Sequence, residues 1–250
     1  MQDNSMISGA LEFRPGWFAC PGPALWLQAA QTLFLADLHL GYAWAQRRRG
    51  QLGPILPGDA RARVNTLLQQ LRPRCLAILG DLVHAPRPAP AERAEIEATI
   101  SEFAAQTELI LVRGNHDRAF LRDFSNLPLP TVPVLHGSGF VAVHGDSPHF
   151  PWPENATAIF GHWHPAASLR DAAGATLRYP AFLVWPRAIV LPAFTPFSAG
   201  LDIRRGIPHA LRALAGASLP PQCLAVTSRE VIPLNRVSRS RSNSSLKGAS

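Results

Sequence analysis

The stretch TLFLADLH (residues 32–39) joins an apolar run, Thr32–Ala36, directly to Asp37 and His39. A short and continuously apolar run is typical of a strand buried on both faces of a sheet. Aspartate and histidine, in contrast, are side chains that bind metals or transfer protons. The stretch therefore predicts a buried strand that carries chemically active side chains at its carboxyl end.

The same arrangement recurs four more times along the chain. Apolar runs at Cys75–Leu79, Glu108–Val112, Phe140–Val143 and Thr157–Phe160 are followed by GDLVH (80–84), RGNHD (113–117), HGD (144–146) and GHWH (161–164). Ligands gather at the carboxyl ends of the strands in an open α/β sheet. We therefore expect these five groups of polar residues to meet in space.

The segments between the apolar runs favour helices. Residues 59–71 place Val64, Leu67, Leu68 and Leu71 at helical spacing, and residues 91–105 place Ile96, Ile100 and Phe103 on one face. The second segment places four glutamates away from that face, namely Glu92, Glu95, Glu97 and Glu102. Strand, helix, strand, helix and strand in this order predict an α/β sheet. The segment 176–234 reads as short strands interrupted by proline, which can form a second sheet. We expect one domain over residues 1–236 and a disordered Ser/Arg-rich tail over residues 237–250.

Seven of the polar side chains have the chemistry of metal ligands. Carboxylate, imidazole and amide donors together suit manganese, iron or zinc, and the lack of cysteine argues against a structural zinc site. We expect two divalent metal ions, with Asp81 as the bridging carboxylate. The expected ligands are Asp37, His39, Asp81, Asn115, His144, His162 and His164.

A pair of such ions indicates hydrolysis of phosphate esters. Two cations about 3.5–4 Å apart lower the pKa of a shared water and clamp the attacking and leaving oxygens. His116, beside Asn115, is our candidate for protonating the leaving alkoxide, and we expect Asp117 to hold it in position.

These motifs resemble those of the calcineurin-like binuclear metallophosphoesterase superfamily. Its pattern of D-x-H, G-D, G-N-H-[DE], a lone His and G-H-x-H is matched here by DLH (37–39), GD (80–81), GNHD (114–117), His144 and GHWH (161–164). The resemblance implies a four-layer α/β sandwich of two mixed β-sheets flanked by helices, and His116 matches the catalytic histidine. It implies one metal held by Asp37, His39, Asp81 and His164, and a second held by Asp81, Asn115, His144 and His162.

A narrower resemblance, to the bacterial DNA ligase-associated metallophosphoesterases, runs over about residues 11–201. It includes DLHLG (37–41), GDLVHA (80–85), VRGNHDR (112–118), GHWHP (161–165) and LPAFTPFSAG (191–200). It implies a manganese-dependent DNA endonuclease that prefers single strands and works in repair beside a DNA ligase and a helicase. Tyr42 stands where that group commonly has lysine.

Several further residues are candidates for contacting the substrate. His84 can border the pocket or be a structural histidine of the turn. Arg113 and Arg118 flank the GNHD motif and can hold phosphate through forked hydrogen bonds, or be solvated surface residues. The cluster at Arg47, Arg48 and Arg49 can line a DNA groove or form an ordinary exposed turn.

Three other residues have open roles. His136 and His149 compete with His144 for the role of the lone ligand, and His144 is preferred because it ends a clean apolar run. Trp163 can stack on a base or pack beside the metals.

The composition narrows the class of protein. The formal net charge of +7 favours a polyanionic partner such as DNA, although arginine-rich drift in a GC-rich genome gives the same composition. Three cysteines without metal-type spacing favour a reducing cytoplasm. We expect no secretion signal and no membrane span, because prolines and an arginine interrupt the most apolar stretch, residues 181–194.

Three functions remain open at this stage. The first is a DNA endonuclease. The second is a phosphatase or pyrophosphatase acting on nucleotides, phosphoproteins or lipid precursors, since the same metal pair serves all of these. The third is a non-catalytic scaffold for DNA or repair proteins, against which the intact ligand set and His116 argue.

Overall fold

The computed structural model describes residues 7–50, 59–85, 87–124, 127, 129–147, 149–150, 152–170, 173–196, 198, 200–216 and 218–234. The predicted tail at residues 237–250 lies outside these ranges. The strands are β1 Leu11–Arg14, β2 Trp17–Cys20, β3 Ala24–Leu27, β4 Thr32–Ala36, β5 Cys75–Leu79, β6 Glu108–Val112, β7 Thr131–Val132, β8 Leu135–Gly137, β9 Phe140–Val143, β10 Thr157–Phe160, β11 Pro165–Arg170, β12 Thr176–Val184, β13 Ala188–Val190, β14 Leu201–Asp202, β15 Gln222–Val226 and β16 Val231–Leu234. The helices are α1 Tyr42–Arg48, α2 Asp59–Leu71, α3 Pro90–Ala104, α4 Asp117–Asp123 and α5 His209–Leu214, with a short 3-10 helix at Ile203–Arg205.

The first sheet is mixed and follows the chain order from β1 to β7. Strands β1 to β4 pair antiparallel, whereas β4 to β7 pair parallel. Ala36 lies opposite Leu79, and Leu79 lies opposite Val112. The carboxyl ends of β4, β5 and β6 are therefore level, and the three motifs that follow them emerge side by side.

The second sheet is also mixed and has the order β14-β11-β12-β13-β10-β9-β8, with β15 and β16 attached at β12. Its parallel core consists of β9, β10 and β13. Val143 lies opposite Phe160, so the motifs that begin at His144 and Gly161 also leave the sheet at one level.

The two sheets pack face to face, and helices cover both outer faces. Between the sheets lies a buried cluster that contains Phe34 and Phe140, whose rings meet edge to face at 5.2 Å. On the outer face of the first sheet, α2, α3 and α4 contribute buried side chains such as Val64, Ile100 and Phe120. Helix α5 covers the second sheet through Leu211. The predicted four-layer sandwich of two mixed sheets is confirmed. None of the helices in the described ranges is long and apolar enough to cross a bilayer.

The five apolar runs form β4, β5, β6, β9 and β10 with the bounds expected from the sequence. Differences arise elsewhere. The second of the two predicted helices is α3, which begins at Pro90 and ends at Ala104. It buries Glu92 fully, beside Arg48, although the sequence placed Glu92 away from the apolar face. The strands β1 to β3 were not among the strands predicted from the sequence.

The glycine at the end of β5 offers a test of this packing. Gly80 has φ +73°, and a Cβ there would lie 2.2 Å from Nδ1 of His144, whereas Gly139 has φ +80° and open space. We expect Gly139→Ala to lower the free energy of unfolding by about 1–2 kcal/mol, the cost of a left-handed backbone. Gly80→Ala should lose at least about 2 kcal/mol more, because its methyl group must displace a buried ring. Urea unfolding in EDTA measures both, and equal losses would contradict the predicted collision.

Candidate metal centre

Asp37, His39 and His164 form the first group of possible metal ligands. One ligand atom from each lies within 4.8 Å of the others. Asp37 is fully buried at the end of β4; one of its oxygens lies 3.0 Å from Nε2 of His164, and the other accepts a hydrogen bond from the backbone N–H of His162. The motifs after β4 and β10 are therefore joined through one carboxylate.

Asp81, His144 and His162 form the second group, again within 4.8 Å. Nε2 of His144 lies 3.0 Å from Oδ1 of Asn115, which brings the seventh expected ligand to this group. The groups adjoin, because the backbone N–H of His39 donates to the carbonyl of Asp81. Asp81 falls in the second group, and its role as a bridge between two metals stays a prediction.

The donor atoms of the second group fit a cation. Nδ1 of His144 donates to the carbonyl of Leu79 at 2.9 Å, so that Nε2 of the neutral ring carries a lone pair and no proton. That lone pair faces Nδ1 of His162 at 3.2 Å and a carboxylate oxygen of Asp81 at 3.5 Å. Acceptors that face one another in a buried site repel unless a cation or a proton lies between them.

The first group shows the same shortage of donors. Oδ1 of Asp37 and Nε2 of His164 are buried and face each other at 3.0 Å, and Nδ1 of His39 is buried with no hydrogen-bond partner among the described residues. Buried polar atoms in native proteins are nearly always satisfied. The donor set and these unsatisfied atoms fit a divalent metal at each group, as expected from the sequence.

Burial and charge set the protonation of these imidazoles. Burial lowers the pKa of His39 to about 4, and burial together with nearby His144 lowers the pKa of His162. Both rings are therefore neutral at pH 7, which is the form that binds a metal. For His164, burial is outweighed by the carboxylates of Asp37 and Asp81, which raise its pKa. The field that favours a proton on His164 also favours a metal cation.

The backbone at these positions is strained. Five expected ligands have positive φ without being glycine, namely Asp37 (55°), His39 (48°), Asp81 (50°), His162 (67°) and His164 (45°). Each such residue costs about 1–2 kcal/mol. Strain of this kind persists only where the surrounding structure enforces it, and it is concentrated here on the residues with ligand chemistry.

Asp117 contacts the backbone of two loops, so that its expected hold on His116 would act through the backbone. Its buried carboxylate accepts hydrogen bonds from the backbone N–H groups of Asp81, Leu82 and Gly114 at 2.8–2.9 Å. Asp117 therefore ties the loop after β5 to the loop after β6. It is a positioning residue, and it acts on His116 only through the backbone of the neighbouring loop.

His116 lies beside the loops after β5 and β6, and its side chain is 48% exposed. Its Nε2 lies 4.0 Å from Asp81, its ring centroid is 5.7 Å from that of His39, and its backbone N–H donates to Asp81 at 3.1 Å. An imidazole that borders the ligand groups and also faces solvent can reach a bound substrate.

The segment at residues 191–200 supports the first group, a role that the sequence did not predict. The backbone N–H groups of Phe194 and Thr195 donate to the carbonyls of Ala36 and Asp37. Ser198 Oγ lies 2.7 Å from Nδ1 of His164, which turns Nε2 toward Asp37. The LPAFTPFSAG motif was the sequence feature that could have indicated this supporting role. The role depends on contacts with Ala36 and Asp37, which lie far earlier in the chain.

Arg113 and Arg118 line a cavity of about 250 Å³ beside His144. Both guanidinium groups are on the exposed loop and helix that carry GNHD. His149, which we considered as an alternative to His144, is exposed and lines the same cavity. The cavity therefore offers two cations for a phosphate next to the second group.

The three arginines at positions 47–49 make different contacts. Arg48 forms an ion pair with the buried carboxylate of Glu92, whereas Arg47 lies over the ring of Trp44 at 5.6 Å. Arg49 is exposed, and its charge helps burial and nearby His116 to lower the pKa of His84. Arg48 is thus engaged with Glu92, whereas a role for Arg47 and Arg49 in contacting DNA stays a prediction.

His84 and Trp163 border the ligand groups, whereas His136 lies on β8. The His84 ring centroid is 5.5 Å from that of His39 and 4.8 Å from that of Tyr42. Trp163 packs against the core of the second sheet, with its ring 5.8 Å from that of His162. His136 is exposed on β8, in neither of the two groups.

Comparisons with known proteins agree with this architecture. Residues 30–187, more than half of the chain, match the Calcineurin-like phosphoesterase family. The nuclease MPE of Pseudomonas putida superimposes with a TM-score of 0.66 and 26% identity, over 91% of this chain and all of that protein. The phosphoesterase Yfce from E. coli gives a TM-score of 0.41 and 18% identity, over 80% of this chain and 96% of its own. No match was found among curated protein sequences.

The fold and the matched family define the chain as a hydrolase that acts on phosphate esters. It belongs to the calcineurin-like phosphoesterase family.

Ser198 provides a test of how the first group is held. We expect Ser198→Ala to weaken binding of one metal ion by roughly 10- to 100-fold, because the partner that orients a ligating imidazole is lost. Isothermal titration with manganese measures this affinity. Ser168→Ala is the control, since the Ser168 hydroxyl donates to Asp202 on the neighbouring strand. The same affinity in both variants would remove Ser198 from the support of the site.

Proposed function

We propose that this protein is a metal-dependent phosphodiesterase that cuts DNA internally, with a preference for single strands. The observation that carries the proposal is the pair of adjoining ligand groups at the carboxyl ends of strands from both sheets. The similarity to the Pseudomonas putida nuclease MPE, which extends over 91% of the chain, supports a nuclease over other phosphoesterases. The formal net charge of +7 is suited to a polyanionic substrate.

Two divalent metals fit the site, and we propose manganese, with iron or zinc as alternatives that the same donors accept. Asp37, His39 and His164 would hold one ion, and Asn115, His144 and His162 the other, with Asp81 between them. When bound, such a pair supplies an activated water and neutralises charge on the phosphoryl oxygens.

The residues of the chain would then orient the phosphodiester and supply protons. Arg113 and Arg118, beside His144, are placed to hold the phosphate through charge-assisted hydrogen bonds. His116, half exposed above Asp81, is placed to protonate the leaving alkoxide oxygen. Asp117 fixes the loops that carry both Asp81 and His116.

We further propose a role in DNA repair, beside a DNA ligase and a helicase, in the cytoplasm. This part of the proposal rests on the motifs shared with the DNA ligase-associated phosphoesterases. The three cysteines, which are free and buried, are suited to a reducing compartment.

A nuclease assay on circular single-stranded DNA tests the proposal. The purified chain, stripped with EDTA and reloaded with manganese, should convert circles to linear fragments, which an exonuclease cannot do. Duplex circles should react more slowly. Asp81→Ala should abolish cleavage, because it removes the carboxylate between the ligand groups. Hydrolysis of p-nitrophenyl phosphate without any cleavage of DNA, over a panel of divalent metals, would favour a phosphatase and overturn the proposal.

His116→Ala should lower kcat on DNA by roughly 100-fold or more, the usual contribution of a general acid. Manganese affinity should stay the same, since His116 is not among the expected ligands. The loss should be smaller on bis(p-nitrophenyl) phosphate, whose p-nitrophenolate leaves without a proton. His136→Ala, which alters an exposed histidine on β8, is the matched control. Equal losses on both substrates would exclude His116 as the proton donor.

A further inference from the structure

Two adjoining cavities extend from the first ligand group along the surface of the protein. The smaller, of about 140 Å³, is lined by His164 and Arg178. The larger, of about 620 Å³, is lined by Tyr179 and by arginines from helix α2 and from the turn between β15 and β16. Pro180, Thr195 and Pro196 line both cavities. We name the two together the arginine groove, which is defined by Arg178, Tyr179, Arg63 and Arg229.

The charge of the arginine groove is of one sign. The described residues that line it include these three arginines and no aspartate or glutamate. Arg178 is 3.5 Å from Asp202, which lies outside the lining. The guanidinium of Arg229 has no ion-pair partner in the ranges that the structure describes. Cations placed at successive points of a groove match a chain of phosphates better than a single phosphate.

Arg63 contacts Phe194, which directly precedes Thr195 and Pro196 in the lining of both cavities. It donates a hydrogen bond to the carbonyl of Phe194 and lies 4.4 Å over the ring of the same residue. The backbone N–H of Phe194 in turn donates to Ala36, directly before Asp37. The arginine groove is therefore built on the same segment that supports the first ligand group.

The uncharged lining offers faces for bases. Tyr179 is half-buried, and Pro21, Pro180 and Pro196 present apolar surfaces. Bases stack on aromatic rings only when they are unpaired, because a duplex keeps them inside its own stack. This mixture suits a single strand and not a duplex.

We infer that the arginine groove binds the single-stranded DNA that continues from the scissile phosphate past His164. The inference rests on the proposed function for the position of the scissile phosphate. Arg178 would contact the phosphate nearest to the first ligand group, and Arg229 a phosphate several nucleotides away. Tyr179 would stack on a base between them. The cavity of Arg113 and Arg118, beside His144, lies at the other ligand group, so that the strand would be held on both sides of the cut.

The test measures binding of fluorescein-labelled thymidine 30-mers by anisotropy in EDTA, where no cleavage occurs. Arg229→Glu should weaken binding by roughly tenfold, and Tyr179→Ala by a similar factor through the lost stacking. Arg229→Ala should lower the slope of log K against log salt by about 0.7, the value for one phosphate contact on a single strand. Arg212→Glu makes the same charge change on α5 at an exposed position and should leave binding at the wild-type level.

The second measurement is cleavage, with the ratio of kcat/KM for the 30-mer to that for bis(p-nitrophenyl) phosphate as the readout. The ratio should fall about tenfold in Arg229→Glu and stay unchanged in Arg212→Glu. Equal effects of the two charge reversals, or wild-type binding by Tyr179→Ala, would overturn the arginine groove as a strand site. A wild-type protein that binds through the groove but cuts no DNA would refute the proposed function and leave the groove standing.

Discussion

Lone pairs that face one another across two small gaps are the feature on which the rest of the centre depends. Two buried carboxylates and four imidazoles converge within ligand distance, and several of their atoms have no hydrogen-bond donor. In a protein interior such acceptors repel strongly, because the effective dielectric constant is low. Only protons or cations relieve the repulsion. The requirement for metal is therefore a consequence of how the sandwich ends its strands.

The fold holds the residues of this centre in unfavourable backbone conformations. Five of the residues concerned have left-handed φ angles, a conformation that non-glycine residues avoid. The rigidity comes from both sides of each motif. Buried parallel strands fix the residues before the turn, and Asp117, the Phe194–Thr195 backbone and Ser198 hold the turns themselves. Since most of these supports are hydrogen bonds between distant segments, the site forms only when both sheets are assembled.

The side chains suited to bind metal and the side chains suited to bind substrate differ in their exposure to solvent. The ligand groups are buried or half-buried, whereas His116 and four of the flanking arginines are exposed, namely Arg113, Arg118, Arg178 and Arg229. A phosphodiester can thus reach the ligand groups while its two chains extend into cavities lined by cations. An enzyme for small phosphate monoesters has no need of cationic cavities at both ligand groups. Under the proposed function, this arrangement would favour a polymeric substrate over a small phosphate ester.

The limits of the sequence are seen at particular residues. The sequence identified the seven expected ligands because each follows a strand whose apolar run is unmistakable, and parallel pairing makes the ends of such strands meet. It identified His116 by its place in GNHD. It could not show how Asp117 would position His116, because the carboxylate turns inward and accepts hydrogen bonds from three backbone N–H groups. It misjudged Glu92, which helical spacing aligns with Ile96 and Ile100 on the buried face.

By itself, the sequence determined the α/β class, the five strands that precede the motifs and the chemistry of the side chains that follow them, because hydrophobic periodicity and side-chain chemistry are local properties. The tertiary structure alone decided that the donors divide into two groups, that Ser198 and residues 191–200 support the first group, and that Arg63, Arg178 and Arg229 line adjoining cavities. These relations join segments separated by tens to well over a hundred positions. They follow from the packing of one sheet against the other, which no local pattern encodes.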